Sequence, residues 1–357
     1  MSAPAVARLS GPGEILAVLP SLCGFPPLES LVLLSLRGPR RRLGLTARVD
    51  LPEPPGEAAL AALCADRMAG DGASSVVVAV MSEHGRRERL VAAVHDALDD
   101  RGVAVLEALH VLSGRWTSYT CEAACCPAEG TPVPVAPPVL GLVQAEQVAT
   151  GRAVLPSRDD LVRSLAPPVL LAARAAEQRL EQATQAWLRS RAQHGAVAAR
   201  RSTLDHVQAL LDRVAAGAPV GPVDAAVLTV GLGDVQTRDA VATLILTRED
   251  ELLALLVQVA RQVLPPDDAP VCTLVAWAAY ARGEGALANV ALDRALAGRP
   301  DYSLALLLRS ALDGGVHPDE VRTLARGTEQ VLRGRAGGGG RSRAGGGLRS
   351  RRARRPG

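Results

Sequence analysis

Five prolines fall between Cys121 and Pro138, at positions 127, 132, 134, 137 and 138, and no regular element runs far through such a stretch. The hydrophobic pattern changes there. Before it, short runs rich in Val and Leu alternate with segments of helical period; after it, the helical period persists. The chain therefore reads as an α/β domain over residues 1–120, a Cys/Pro-rich linker over 121–138, a helical domain over 139–333 and a tail over 334–357. Two domains suit a chain of 357 residues.

Ser10–Glu14 reads as the start of a short helix that Cys23-Gly24-Phe25-Pro26-Pro27 breaks. Ser30–Leu36 and Leu43–Leu51 read as antiparallel strands and Ala58–Ala69 as a helix. Ser75–Met81 is the clearest strand, and Arg86–Arg101 is an amphipathic helix with Leu90, Val91, Val94 and Leu98 on one face. Val103–Leu112 returns as a strand, and Arg115–Tyr119 extends the sheet. The order predicts helices packed on a mixed sheet. In the second half, helices are expected over 173–187, Ser202–Ala215 (capped by Ser202 or Thr203), Val223–Val230, Arg238–Thr247 and Arg248–Leu264. Residues 271–300 follow the register of one tetratricopeptide hairpin, with Cys272 and Ala279 where that motif places Trp and Tyr.

All 40 basic residues are arginine, Asn289 is the only asparagine, and aromatic residues are 2% of the chain. This is the bias of GC-rich coding, so arginine abundance alone carries little functional weight. Eight arginines and no acid lie in residues 334–357, which leaves 32 arginines against 37 acids before them. Contact with nucleic acid is thus expected only through that Gly/Arg-rich, disordered tail, which lacks interleaved aromatics for base stacking. No apolar run approaches the ~18 residues of a membrane helix. Ile15–Leu22 is too short for a signal peptide and is broken by Pro20. Six cysteines are too few for a disulfide scaffold, so a soluble protein of the reducing cytoplasm is expected. Phosphate-binding and dinucleotide-binding glycine loops are absent, as is His-Glu-x-x-His.

Cys121-x3-Cys125-Cys126 is the best chemical candidate. No cofactor is otherwise expected, but zinc prefers thiolates and takes four ligands, the fourth here from Cys23, Cys64 or His110. The adjacency of Cys125 and Cys126 argues against both reaching one ion. The plain alternative is a loop whose sulfurs pack on Trp116. A redox pair of adjacent thiols would be strained. Arg48 and Asp50 end a strand, where α/β proteins place ligand groups; they share a face and are expected to pair with each other or with a loop. Arg115, Trp116 and Tyr119 can stack a planar ligand, although Trp116 is also needed as core.

Three blocks of residues carry a resemblance. The first runs from Leu16 through Gly24-Phe25-x-Pro27 and Ser30-Leu31-Val32 to Arg48-Val49-Asp50-Leu51-Pro52. The second is Arg115-Trp116-x-Ser118-Tyr119-x-Cys121, Cys125-Cys126-Pro127 and Gly130-Thr131-Pro132. The third runs from Leu274-x-Ala276-Trp277 through Ala288, Asn289 and Arg294 to Asp301-Tyr302-Ser303. Together they resemble an actinobacterial family catalogued as domain of unknown function 4192, over most of residues 10–325. The resemblance implies a GC-rich actinobacterial source and brings no activity, cofactor or catalytic residue.

The leading functional expectation is a non-catalytic protein-interaction or regulatory module, carried by the tetratricopeptide-like hairpin and the long helical half. One alternative is an enzyme or small-ligand binder with its site at the sheet ends near Trp116 to Cys126. The other is nucleic-acid contact through residues 334–357.

Overall fold

The β-branched and leucine-rich runs form the sheet that their order predicts. The computed structural model describes residues 7–121, 123, 125–149 and 151–338. Its strands are β1 (Ser30–Arg37), β2 (Arg42–Asp50), β3 (Ser75–Met81), β4 (Ala104–Leu112), β5 (Arg115–Ser118) and β6 (Thr131–Pro132), in spatial order β2-β1-β3-β4-β5-β6. Among the described residues only β3 and β4 pair in parallel; every other neighbouring pair is antiparallel. The parallel pair needs a crossover, and the amphipathic helix between the two strands supplies it. Strand β6 lies inside the segment expected to be a linker, so the sheet extends into that stretch.

The helices of this half are α1 (Pro12–Cys23), α2 (Glu57–Gly70) and α3 (Glu88–Asp99). Alternate residues of each central strand face opposite layers. Leu31, Leu33, Val76, Val78 and Val80 meet α2 and α3 through Cys64, Met68, Leu90, Val94 and Leu98. Val32, Leu34, Val77, Ala79 and Leu109 meet Leu16 and Leu19 of α1 on the other face, together with Trp116. Helix α1 ends because Gly24 takes the left-handed conformation (φ 82°), which turns Phe25 away from the sheet and into the core of the helical half.

The helical half comprises α4 (Pro138–Ala149), α5 (Arg158–Ser164), α6 (Leu170–Ala215), α7 (Pro222–Leu232), α8 (Val235–Ala242), α9 (Glu249–Ala260), α10 (Ala269–Ala281), α11 (Gly285–Gly298), α12 (Ser303–Asp313) and α13 (Pro318–Gly338). Helix α13 continues past residue 334, where the tail was expected to begin; residues 339–357 lie outside the described residues. No described helix is long and apolar enough to cross a membrane. The expected boundary at Ser202 is instead a kink at Gly195 (φ 83°), and Thr203 is interior to α6. Its Oγ1 donates to the Ala199 carbonyl at 3.2 Å rather than capping a helix end. Side chains do cap α5 through Ser157 and α8 through Asp234.

Helices α10 and α11 join through a tight turn at Gly283 (φ 77°), as the hairpin register predicts. Every residue of α10 is buried, however, enclosed by α7, α8, α9, α11, α12 and α13. A groove-forming repeat leaves one helix face open to a partner. This helix leaves none, so the hairpin offers no concave peptide surface. Its signature residues serve packing. The Trp277 indole N–H donates to the Ala242 carbonyl at 3.1 Å, and Arg294 Nε donates to the buried Asp268 at 2.7 Å.

Candidate metal centre

The loop between β5 and β6 brings three thiols together. The Sγ atoms of Cys121, Cys125 and Cys126 all lie within 4.8 Å of one another. Cys121 and Cys125 are 3.7 Å apart, and Cys125 and Cys126 are 4.0 Å apart. Zinc–sulfur bonds of about 2.3 Å place the sulfurs of a tetrahedral site about 3.8 Å apart. Adjacent cysteines were expected to diverge. They converge because the backbone turns here, with Cys126 N–H closing on the Ala123 carbonyl at 2.8 Å. Cys121 is half-buried, Cys125 exposed and Cys126 half-buried, so the cluster faces outward with only Cys126 resting on the sheet core.

The residues around the thiols build the loop. Arg115 Nε donates to the Glu129 carbonyl at 2.8 Å and its terminal nitrogen to the Gly130 carbonyl at 2.6 Å, stapling the far limb. Ser118 Oγ accepts from the backbone N–H of Thr120 and Cys121 at 3.1 and 3.0 Å, fixing the near limb. Gly130 has φ 75°, and a Cβ there would stand 3.0 Å from the Trp116 carbonyl, so only glycine lets the two limbs pass. The string from Arg115 to Gly130 is thus a set of parts for one loop.

The electrostatics favour a thiolate at one corner. The Ala123 backbone N–H, then the Cys126 and Cys125 thiols, hold Cys121 below the usual thiol range. The hydrogen bond to Cys121, then burial, push Cys126 up to about 12. None of the expected fourth ligands joins. Burial pushes the thiols of Cys23 and Cys64 up to about 11 in their separate places. His110 Nε2 lies 3.2 Å from the Ser82 carbonyl, and burial first of all lowers its pKa. Among the described residues the cluster is therefore a three-ligand set.

The proposed stacking platform does not form. Trp116 is buried on the α1 face of the sheet, whereas Tyr119 packs on the α2–α3 face. Tyr119 is already covered by Arg86, whose guanidinium sits 4.2 Å from the ring centre, and its hydroxyl accepts the Arg87 N–H at 3.0 Å. Arg115 is spent on the loop. Arg48 and Asp50 are far along the sheet on β2 and pair at 2.6 Å, with Arg48 Nε also donating to Ser30 Oγ at 2.8 Å. They line a cleft of about 1070 Å³ between β2 and the helical half. Nothing in the sequence signals that cleft, because its walls come from segments far apart in the chain.

A mixed sheet with a cysteine loop at one end, followed by a helical half, defines this class of chain. The chain belongs to the family described as Domain of unknown function (DUF4192), which matches residues 12–319. Neither a curated protein nor a solved structure matches it.

Proposed function

We propose that the chain is a thiolate metal-binding protein whose centre is Cys121, Cys125 and Cys126, with zinc as the resident ion. The observation that carries this reading is the convergence of three sulfurs within 4.8 Å on an outward-facing loop. Sulfurs that merely packed against Trp116 would be sealed in apolar surroundings, and Cys125 is exposed. A zinc ion held by these three thiols would keep a place for solvent or a small ligand, as exchangeable and catalytic zinc sites do. A reducing actinobacterial cytoplasm is the setting in which the three thiols stay free to ligate.

This reading replaces the peptide-binding helical hairpin, whose inner helix has no free face, and keeps the site in the Trp116–Cys126 region. Its test is cobalt(II) titration of the reduced, full-length chain. One equivalent should bind with intense thiolate-to-cobalt charge-transfer absorption, and zinc should displace it. Cys121→Ser, Cys125→Ser and Cys126→Ser should each weaken binding by about 100-fold or more. Absence of the charge-transfer band in the wild type would overturn the assignment.

A further inference from the structure

Among the described residues strand β2 is a sheet edge, paired with β1 alone, and all of Leu43–Asp50 lines the cleft. An unpaired edge presents a row of backbone donors and acceptors, and proteins ordinarily block it. The register fixes which groups are free. Leu51 N–H bonds the Glu29 carbonyl at 3.1 Å, so Leu51 faces β1, and by antiparallel alternation Val49 and Ala47 do too. Thr46, Arg48 and Asp50 then turn their N–H and C=O groups toward the cleft. Beyond them a register shift opposite Leu34 and Leu36 sends Leu45 N–H to the Asp71 carboxylate at 2.9 Å. Thr46–Asp50 is therefore about five residues, or about 17 Å, of strand with no pairing strand on that side among the described residues.

Six arginines, Arg37, Arg48, Arg67, Arg152, Arg158 and Arg309, line the cleft against five acids. The lining acids are Asp50, Asp71, Glu146, Asp293 and Asp313. Asp50 is tied to Arg48 and Asp71 to Arg37, while Asp293 is shared by Arg309 at 2.5 Å and Arg158 at 3.6 Å. Two guanidinium groups therefore meet one carboxylate on the helical wall. On the sheet wall Arg67 is half-buried, and its guanidinium makes no ion pair or hydrogen bond among the described residues. Its stem is held by close packing on Gly315, where a Cβ would stand 2.7 Å from Arg67 Cδ. A positioned guanidinium without a partner is a recognition element for carboxylate.

We propose that this slot takes an extended acidic peptide segment, added alongside β2 as a further strand, its backbone on Thr46–Asp50 and its carboxylates on Arg67, Arg158 and Arg309. Strand addition draws affinity from main-chain hydrogen bonds and specificity from the walls. The site is independent of the thiol centre.

The test is selection of a displayed random library of about nine-residue inserts on the full-length chain, followed by hydrogen exchange with the best synthetic peptide. The inserts should be enriched in Asp and Glu. The bound peptide should slow exchange of the Thr46, Arg48 and Asp50 amides. Arg67→Ala and Arg158→Ala should each weaken binding about tenfold, with unchanged unfolding midpoints. Failure to enrich acidic inserts, or binding that leaves the β2 amides unprotected, would overturn the proposal. So would inorganic pyrophosphate that binds at the arginines, and is weakened by Arg67→Ala and Arg158→Ala, while no peptide binds, since the slot would then be a small-anion site.

Discussion

Asp71 is the most heavily used side chain at the edge of the sheet. It receives Ser35 Oγ at 2.6 Å, Arg37 Nε at 2.8 Å and Leu45 N–H at 2.9 Å. Burial alone raises its pKa; the Arg37, Ser35 and Leu45 hydrogen bonds together outweigh burial and hold it below the usual carboxylate range. Its contribution to stability is therefore present above the unfolded-state pKa of ~3.9 and is lost as pH falls through the lowered folded value. Asp71→Asn should cost about 2 kcal/mol in urea unfolding at pH 7, and the difference from wild type should shrink in acid. An equal difference at both pH values would contradict this account. Gly44 passes so close that a Cβ would lie 2.4 Å from both the Asp71 carboxylate and Arg37 Nε. Gly44→Ala should therefore cost about 1–3 kcal/mol by the same measurement, because the ion pair itself must move. Neither role is legible in the sequence. Asp71 lies in an ordinary-looking turn, and its partners come from two strands it does not adjoin.

The same contrast runs through the elements. Strands β1 and β3 were legible because each is a short, nearly unbroken apolar run that only a sheet covered on both faces can bury. Helix α10 was legible as a helix but not as a core. Its burial depends on α12 and α13 closing over it, and no local period encodes that. The Arg115–Gly130 loop was legible as a set of residues and not as a shape, since the turn that aligns Cys125 with Cys126 is a backbone event. Arg115→Ala and Gly130→Ala touch no sulfur, yet each should weaken metal binding about 10–100-fold by loosening the loop. Cobalt affinity measured beside the unfolding midpoint separates this effect from global instability. The buried Asp268–Arg294 pair ties α10 to α11, with Arg294 also reaching the Val263 carbonyl at 2.8 Å and the Leu165 carbonyl. Arg294→Met should cost about 3–5 kcal/mol by stranding a buried carboxylate, and adding Asp268→Leu should recover much of the loss. Calorimetry on the two variants checks this order.

At the scale of the molecule, several contacts tie the sheet half to the helical half, among them Leu155 N–H on the Gly24 carbonyl at 2.8 Å and Arg67 packed on Gly315. Phe25 leaves the sheet to enter the helical core, and Gln147 Nε2 of α4 donates back to the Ser21 carbonyl at 2.6 Å. Between these ties the β2 edge and the helices stand apart and form the arginine-lined cleft. The cysteine loop sits at the opposite end of the strand order, beyond β5. The two proposed places for chemistry, one of sulfur and one of guanidinium, are thus separate. The cysteines of the first could be named from the sequence, although the adjacency of Cys125 and Cys126 argued there against a shared ion. The second required the fold, because Arg67, Arg158 and Arg309 are unremarkable in a chain whose every basic residue is arginine.

The central claim is that the three thiols act as one ligand set. The most direct measurement is X-ray absorption at the zinc edge of the full-length protein loaded with one equivalent of zinc, beside Cys125→Ser. The account predicts three sulfur neighbours at about 2.3 Å and one lighter atom in the wild type, with one sulfur lost in the variant. A first shell of nitrogen and oxygen only, unchanged by the substitution, would contradict it.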